Sequence, residues 1–351
     1  MKANLCFYMG YTPSFNGENY GNKKIYGSEI TSIKLAESLT DIYNVYIFVN
    51  GLDEEEEILY NGVQYLHTHK LHIMKKIDIM IVVRYINYFI YFKNIAKKTF
   101  IWLHDVTVQP AYDGKILNSN GDHLLYNLQD SYNRLVVLSD YHFKNNYDYI
   151  GIPKNKYSIL PNIIDMTYYK KNIQVIKNRF IYMSDISRGL TILLDCLLYI
   201  QKYIPTISLT VFRSHEFTDE IIKKLEKLNN KIIYGKESQE IIANECLQAE
   251  YFFYPTNFAE TFCNCAAEAQ LYHCVCIYNN IGSLTTTIGN RGLQINYDIN
   301  SFDYVEKTCK DVMNLMNNKQ KKIDYLIKGY TWTKQLNIIN MKKKWIELFN
   351  L

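Results

Sequence analysis

Two glutamates eight residues apart, Glu260 and Glu268, carry the most readable chemistry in this chain. They lie in the segment Tyr254-Pro255-Thr256-Asn257-Phe258-Ala259-Glu260-Thr261-Phe262-Cys263-Asn264-Cys265-Ala266-Ala267-Glu268-Ala269-Gln270. The pattern puts Glu260 where a strand hands over to a helix, with Glu268 about two turns into that helix. On an ideal helix eight residues rise ~12 Å and rotate by about 80° net, so both carboxylates can line one side of a groove. That separation suits a folded nucleotide sugar, with hexose at one end and ribose at the other. The helix N-terminus between them offers free N–H groups and a partial positive charge. On spacing alone, two unrelated glutamates, one capping and one exposed, fit equally well.

Three further residues have the right type and place for such a ligand. Gly27 precedes the amphipathic stretch Ser28–Leu39 and would let the backbone approach a phosphate, with the helix dipole behind it. Arg188 stands beside Gly189, where a guanidinium can hold a diphosphate through two parallel hydrogen bonds. His104 ends an apolar run. Taken singly, an ordinary turn, a solvated charge at a helix start and a satisfied core histidine explain the three as well. No D-x-D triplet occurs, so nothing suggests the adjacent acidic ligands that hold a donor through Mg²⁺ or Mn²⁺, and no metal or cofactor requirement is expected.

The Glu260–Glu268 block resembles the E-x7-E signature of the retaining GT-B glycosyltransferases of the glycosyl transferases group 1 (family 4-like) superfamily. Weaker pieces agree with it in chain order. Tyr26-Gly27-Ser28-Glu29 is similar to the N-terminal glycine loop, and Trp102-Leu103-His104-Asp105 to the His-Asp element. Leu160-Pro161-Asn162-Ile163-Ile164-Asp165 is similar to the P-N-G-[IV]-D linker motif. Ser187-Arg188-Gly189-Leu190 resembles the basic-Gly pair of the second domain. Gly282-Ser283-Leu284 and Gly289-Asn290-Arg291-Gly292 resemble the loop after the signature, and Trp332 and Trp345 the terminal helices.

The resemblance implies that Glu260 with the neighbouring amides of Thr261 and Phe262 binds the donor hexose, and that Glu268 binds the ribose. Gly27 and Arg188 would hold the diphosphate, Ser28 and the Gly282-Ser283-Leu284 turn would also line the donor site, and His104 would face the sugar near the reacting carbon. It implies retention of anomeric configuration, a nucleotide-diphosphate-sugar donor, an acceptor of carbohydrate type and no metal. The sequence departs from the pattern at three places. Ile163 replaces the linker glycine, Thr285-Thr286-Thr287 stands where an acidic residue is usual, and Tyr182-Met183-Ser184-Asp185 lacks an arginine, leaving Arg188 with help from Arg213. A nucleotide-sugar epimerase on the same fold and a non-catalytic sugar-nucleotide or glycan binder are the rival readings. A dinucleotide oxidoreductase is disfavoured, since no G-x-G-x-x-G follows the first apolar run.

The elements that must position these residues read as two rounds of alternating strand and helix. Strands are expected at 3–9, 44–49, 77–83, 99–103, 134–139 and 157–160, then at 179–184, 208–212, 231–234, 251–254 and 274–278. Helices are expected at 28–39, 190–203, 219–228, 238–248 and 262–271. Such alternation predicts parallel sheets covered by helices on both faces, with ligands at the carboxyl ends of the strands. We expect domains at 1–165 (acceptor side) and 166–330 (donor side), joined by the polar stretch 161–178. A terminal helix at 331–351, anchored by Trp332, Leu336, Trp345, Leu348 and Phe349, would return to the first domain. Acceptor specificity would rest in the loops 13–24 and 106–119.

Composition is consistent with this. The length of 351 residues suits two domains, and 48% hydrophobic residues suffice for two cores. A net charge of +4, from 39 basic and 35 acidic residues, is too small for a nucleic-acid binder. Lys75-Lys76, Lys97-Lys98 and Lys342-Lys343-Lys344 read as solvated ends, with weak peripheral attraction to an anionic membrane as the lesser reading. No apolar run reaches the ~18 residues of a membrane span, and a cytoplasmic protein is expected. Cys263, Cys265, Cys274 and Cys276 read as buried reduced thiols rather than a zinc site. The acidic run Asp53–Glu57 reads as a solvated loop.

Overall fold

The computed structural model describes residues 2–10, 12–18, 27–92, 95–106, 124–170 and 173–351. Within it the chain divides into two units, Met1–Ile163 with Leu336–Leu351, and Ile164–Gln335.

Unit 1 is built on β1 (Asn4–Tyr8), β2 (Asn44–Val49), β3 (Glu57–Tyr60), β4 (Val63–His67), β5 (Ile77–Val83), β6 (Ala96–Trp102), β7 (Arg134–Val137) and β8 (Tyr157–Ile159). They form one sheet in the order β3-β4-β2-β1-β5-β6-β7-β8. All neighbours are parallel except β3 and β4. The central strands are covered on both faces, so they read as unbroken apolar runs: Leu5, Cys6 and Phe7 in β1 and Met80 to Val83 in β5 have no exposed surface. The edge hairpin β3–β4 escaped the sequence reading because its strands are short, four and five residues. Its turn is an Asn61-Gly62 pair with both residues at positive φ, the conformation a two-residue hairpin demands.

Unit 2 repeats the design with β9 (Ile176–Tyr182), β10 (Ser208–Phe212), β11 (Lys231–Tyr234), β12 (Ala249–Tyr254), β13 (Val275–Asn279) and β14 (Gly292–Ile295). The order β11-β10-β9-β12-β13-β14 is wholly parallel. In each unit the first strand sits centrally and the order reverses beside it. The reversal lies between β1 and β5 in unit 1 and between β9 and β12 in unit 2. A crevice opens at the carboxyl ends of such a strand pair, because the connections leave in opposite directions.

Helix ends follow local chemistry. Ser139, Thr218 and Ser238 each accept a backbone N–H from the first turn of the helix they precede. Two expectations need correction. The polar linker is shorter than 161–178, since β9 begins at Ile176. The terminal helix does not begin at Thr331: one helix spans Lys319–Thr333 and a second spans Ile338–Phe349, capped by Asn337. Trp332 therefore belongs to unit 2, under the guanidinium of Arg291 at 4.4 Å. The last helix is an element of unit 1, where Trp345 is fully buried with its ring 4.8 Å from that of Trp102.

Candidate functional site

In unit 2 two segments cross at the strand reversal. One leaves β9 as Met183–Gly189 and enters the helix Leu190–Gln201; the other leaves β12 as Pro255–Cys263 and enters the helix Asn264–Leu271. Gly189 has φ +109°, and a Cβ there would lie 2.1 Å from the carbonyl oxygen of Pro255. Only glycine lets the two segments approach this closely. Asp185 fixes the first segment by accepting from the Ser187 N–H (2.9 Å), the Ser187 hydroxyl (2.6 Å) and the Ser214 hydroxyl (3.1 Å).

Arg188 and Glu260 meet across this reversal. Nη1 of Arg188 donates to Oε1 of Glu260 at 3.1 Å, and the guanidinium lies 3.9 Å from the centre of the Phe258 ring. The Tyr254 hydroxyl donates to the same Oε1 at 2.7 Å. Oε2 of Glu260 has no partner among the described residues, although the side chain is buried. The backbone of Glu260 is clamped too. Its carbonyl accepts the Ser283 N–H at 2.9 Å, and Gly282, at φ +58°, packs where a Cβ would come within 2.7 Å of the Glu260 nitrogen. Burial opposes the Arg188 charge and the Glu260 carboxylate overcomes it, so the guanidinium pKa is raised.

Glu260 is not on the helix. That helix starts at Asn264, after Cys263 in the left-handed conformation (φ +68°), so the straight-helix geometry expected for the two glutamates does not hold. Glu268 lies in the second turn, half-buried, and its carboxylate makes no hydrogen bond among the described residues. Burial pushes its pKa up to about 7, and the nearby charge of Asp165 adds to the effect. Both glutamates bear on one thiol: burial pushes Cys265 upward, and Glu268 and then Glu260 add to it.

The remaining candidates of unit 2 divide. Ser283 and Leu284 are fully buried, and the Ser283 hydroxyl has no partner among the described residues. The ring of Phe262 is buried 6.4 Å from that of Trp332, and its carbonyl accepts the Thr287 hydroxyl. Thr261 is half-buried. Thr285 and Thr286 return their hydroxyls to the carbonyls of Gly282 and Ser283, which uses the threonine run to brace its own turn. Arg213 is paired to Glu216 at 2.6 Å instead of serving the Arg188 site. The four cysteines of the C-x-C pairs are free thiols, and no metal-ligating group among the described residues includes them.

Unit 1 has its own charged cluster at its strand reversal. The helix after β1 begins at Gly27, and Ser28 and Glu29 in its first turn are buried. Arg84, directly after β5 and at φ +63°, donates to both oxygens of Asp105 (2.8 and 3.0 Å). It also reaches Glu29 at 3.5 Å and the Ser28 hydroxyl at 3.4 Å. The Asp105 carbonyl accepts from Tyr147 at 2.8 Å and contacts Nε2 of His142 at 2.8 Å. Because Nδ1 of His142 accepts the Leu138 N–H, its proton must be on Nε2. His104 stands beside this cluster with its ring 4.8 Å from Trp102. Burial, then the charges of Arg84 and His142, hold its pKa well below the ordinary value, so it is a neutral imidazole.

Sequence reasoning missed Arg84, Tyr254 and Phe258 as site residues. The signal for Arg84 was available, since a lone arginine closes the apolar run Ile77–Val83. The glycine-loop residue Tyr26, and the loops 13–24 and 106–119 beyond Glu18 and Val106, lie outside the described residues.

No protein-family model matches the sequence, and no curated protein matches it by sequence. Solved structures do match over nearly the whole chain. Sucrose-phosphate synthase from Thermosynechococcus elongatus aligns with a TM-score of 0.73 at 13% identity, covering 99% of this chain and 98% of that one. Anabaena HepE, in complex with UDP and glucose, aligns with a TM-score of 0.71 at 11% identity, covering 99% of each chain. A glycosyltransferase from Rickettsia africae aligns with a TM-score of 0.70 at 14% identity, covering 99% of this chain and 98% of that one. With two doubly wound sheets of matching order and these neighbours along its full length, the chain has the GT-B fold.

Proposed function

We propose that the chain is a glycosyltransferase that moves a hexose-type sugar, with retention, from a nucleotide-diphosphate-sugar to a glycan, lipid or protein acceptor. The observation that carries the reading is the state of the two carboxylates in unit 2. Glu268 is half-buried and has no hydrogen-bond partner among the described residues, and Oε2 of Glu260 is likewise open. Such groups are costly unless a ligand supplies hydroxyl donors. Ribose hydroxyls would donate to Glu268 and hexose hydroxyls to Glu260.

The diphosphate would lie at the N-terminus of the Leu190–Gln201 helix, where the first N–H groups lack helical partners and Arg188 adds a full charge. The bond from the anomeric carbon to the diphosphate oxygen breaks. The diphosphate takes the proton of the acceptor hydroxyl, whose oxygen bonds to the anomeric carbon from the same face. Arg188 and the helix dipole would offset the charge that grows on the leaving group. His104, being neutral, would exchange hydrogen bonds with a sugar hydroxyl without adding charge.

A thermal-shift screen against UDP-, GDP-, ADP- and dTDP-sugars tests the reading. A donor at 100 times its Kd should add about 2.7 kcal/mol of stability. An epimerase would convert its sugar nucleotide with no acceptor present, and a binding protein would shift its melting point yet release no nucleotide. Either result would replace this proposal.

A further inference from the structure

Away from the two strand reversals, unit 1 gathers three metal-ligating side chains from two places in the sequence. His67 is the last residue of β4 and His69 lies in the following 3₁₀ turn Thr68–Ile73. Glu54 comes from the acidic run before β3, in a turn closed by the Glu56 N–H on the Asp53 carbonyl at 3.2 Å. One ligand atom from each of the three lies within 4.8 Å of the other two. The run Asp53–Glu57 is exposed, as expected of a solvated loop, and Glu54 is its residue nearest the two histidines in this group.

The two imidazoles face each other through their Nδ1 atoms, 2.6 Å apart. Nδ1 of His67 is unprotonated, since it accepts the backbone N–H of His69 in a long hydrogen bond of 3.3 Å that a metal ion would replace. A shared proton or a shared cation can fill the space between two such nitrogens. With metal–nitrogen bonds of about 2.0–2.1 Å in a tetrahedral arrangement, two ligand nitrogens stand roughly 3.3 Å apart. The pair therefore needs to open by less than 1 Å, and Glu54, which is exposed, need only turn its side chain inward.

The surroundings favour a cation over a proton. Asp53, Glu54, Glu55 and Glu56 place four carboxylates in one short segment, and a dication relieves their mutual repulsion. Lys70, the nearest lysine in sequence, is held by Glu57 at 2.8 Å. The site is braced behind by the Thr68 hydroxyl, which donates to Asn50 at 3.0 Å, and by the pairing of His67 with Val49.

We propose that His67, His69 and Glu54 form a structural site for a divalent ion of the zinc class, with water as the fourth ligand, which ties the acidic turn to the end of β4. Imidazole ligands select zinc and its transition-metal neighbours over Mg²⁺ and Ca²⁺, which prefer all-oxygen shells. The ion is independent of the donor chemistry proposed above, and its test reads binding alone.

The full-length chain, stripped with chelator and kept reduced, is titrated with Zn²⁺ against a chromogenic indicator and separately with Co²⁺. One ion per chain should bind. His69→Ala should weaken binding by roughly 100-fold and Glu54→Gln by roughly 10-fold, on the scale by which even supporting residues affect metal sites. The Co²⁺ complex should show visible ligand-field bands without the near-ultraviolet charge-transfer band that thiolate ligands give. Zinc should also slow cleavage after Glu54, Glu55 and Glu56 by a glutamate-specific protease. Glu54→Gln alters an exposed side chain and keeps the fold, so its result stands even if His69→Ala fails to fold. Failure to bind one equivalent, unchanged affinity in Glu54→Gln, a thiolate band or an unaltered cleavage rate would each overturn the proposal.

Discussion

Replacing Glu268 and Glu260 by glutamine, one at a time, separates the two ends of the bound donor. Glu268→Gln keeps the size of the side chain and removes its charge. If the ribose hydroxyls donate to it, the loss is that of hydrogen bonds to a charged acceptor, about 1.5–3 kcal/mol, or roughly 10- to 150-fold in Kd. The ribose does not change between ground and transition states. Donor KM and the Kd of the free nucleoside diphosphate should therefore rise together while kcat holds. The free carboxylate, pushed up to about 7, adds a pH signature. Ligand binding favours its ionised form, so wild-type affinity should fall about tenfold per pH unit as pH drops below 7. Glu268→Gln should lose that dependence while keeping whatever comes from the phosphate. In the free protein the sign is opposite. An unfolded glutamate ionises near 4.5, so this side chain's contribution to stability is complete below 4.5 and is lost as pH rises toward 7. Glu260→Gln should behave otherwise. It preserves an acceptor for Tyr254 but releases Arg188 from its carboxylate. Nucleoside diphosphate affinity should then hold or tighten, and kcat should fall by about 10² because the sugar is held less well as it becomes cationic. Calorimetric titration of both variants from pH 5.5 to 8 decides the matter. Lost nucleotide affinity in Glu260→Gln alongside unaltered affinity in Glu268→Gln would show that the donor lies the other way round.

Arg188→Ala should lower kcat by about 10² or more, and an unchanged kcat in steady-state assays would reduce Arg188 to a partner of Phe258 and Glu260. Turnover should persist in excess EDTA; complete loss restored by Mn²⁺ would show that the donor is held through a metal after all. Trp345→Ala should cost about 3–5 kcal/mol in denaturant unfolding of unit 1, because that side chain is fully buried against Trp102, and an unaltered midpoint would mean the last helix is not part of the unit 1 core. His142 is held down to about 4 by burial, so it stays neutral in the folded chain while an unfolded histidine charges near 6.5. It contributes stability above 6.5 that is lost as pH falls toward 4, worth about 3 kcal/mol in full, and His142→Gln should flatten that part of the pH–stability curve.

Much of the fold is decided locally, and for that reason it is legible. β2, β5 and β10 lie where largely apolar runs put them, since a strand covered on both faces has few polar positions to spare, whereas β11 lies at the sheet edge and is mostly exposed. The helices after Thr218 and Ser238 begin where a side-chain oxygen can take the first orphan N–H groups. Glu260, Glu268 and Arg188 stand out because unusual residue types recur at fixed distances from strand ends. What they do to one another is not local. Arg188 and Glu260 are 72 residues apart and meet only because β9 and β12 are neighbours at the strand reversal. Arg84, Glu29 and Asp105 converge by the same logic in unit 1. The assignment of Trp332 and Trp345 to different units depends on a helix break at Lys334–Leu336 that no proline or glycine announces. His67 and His69 are two residues apart in sequence, yet only the β3–β4 hairpin and the turn before it bring Glu54 to them. Sequence fixes which side chains exist and which elements carry them; strand order decides which charges share a low-dielectric corner, and with that their pairing, their protonation and the chemistry they can perform.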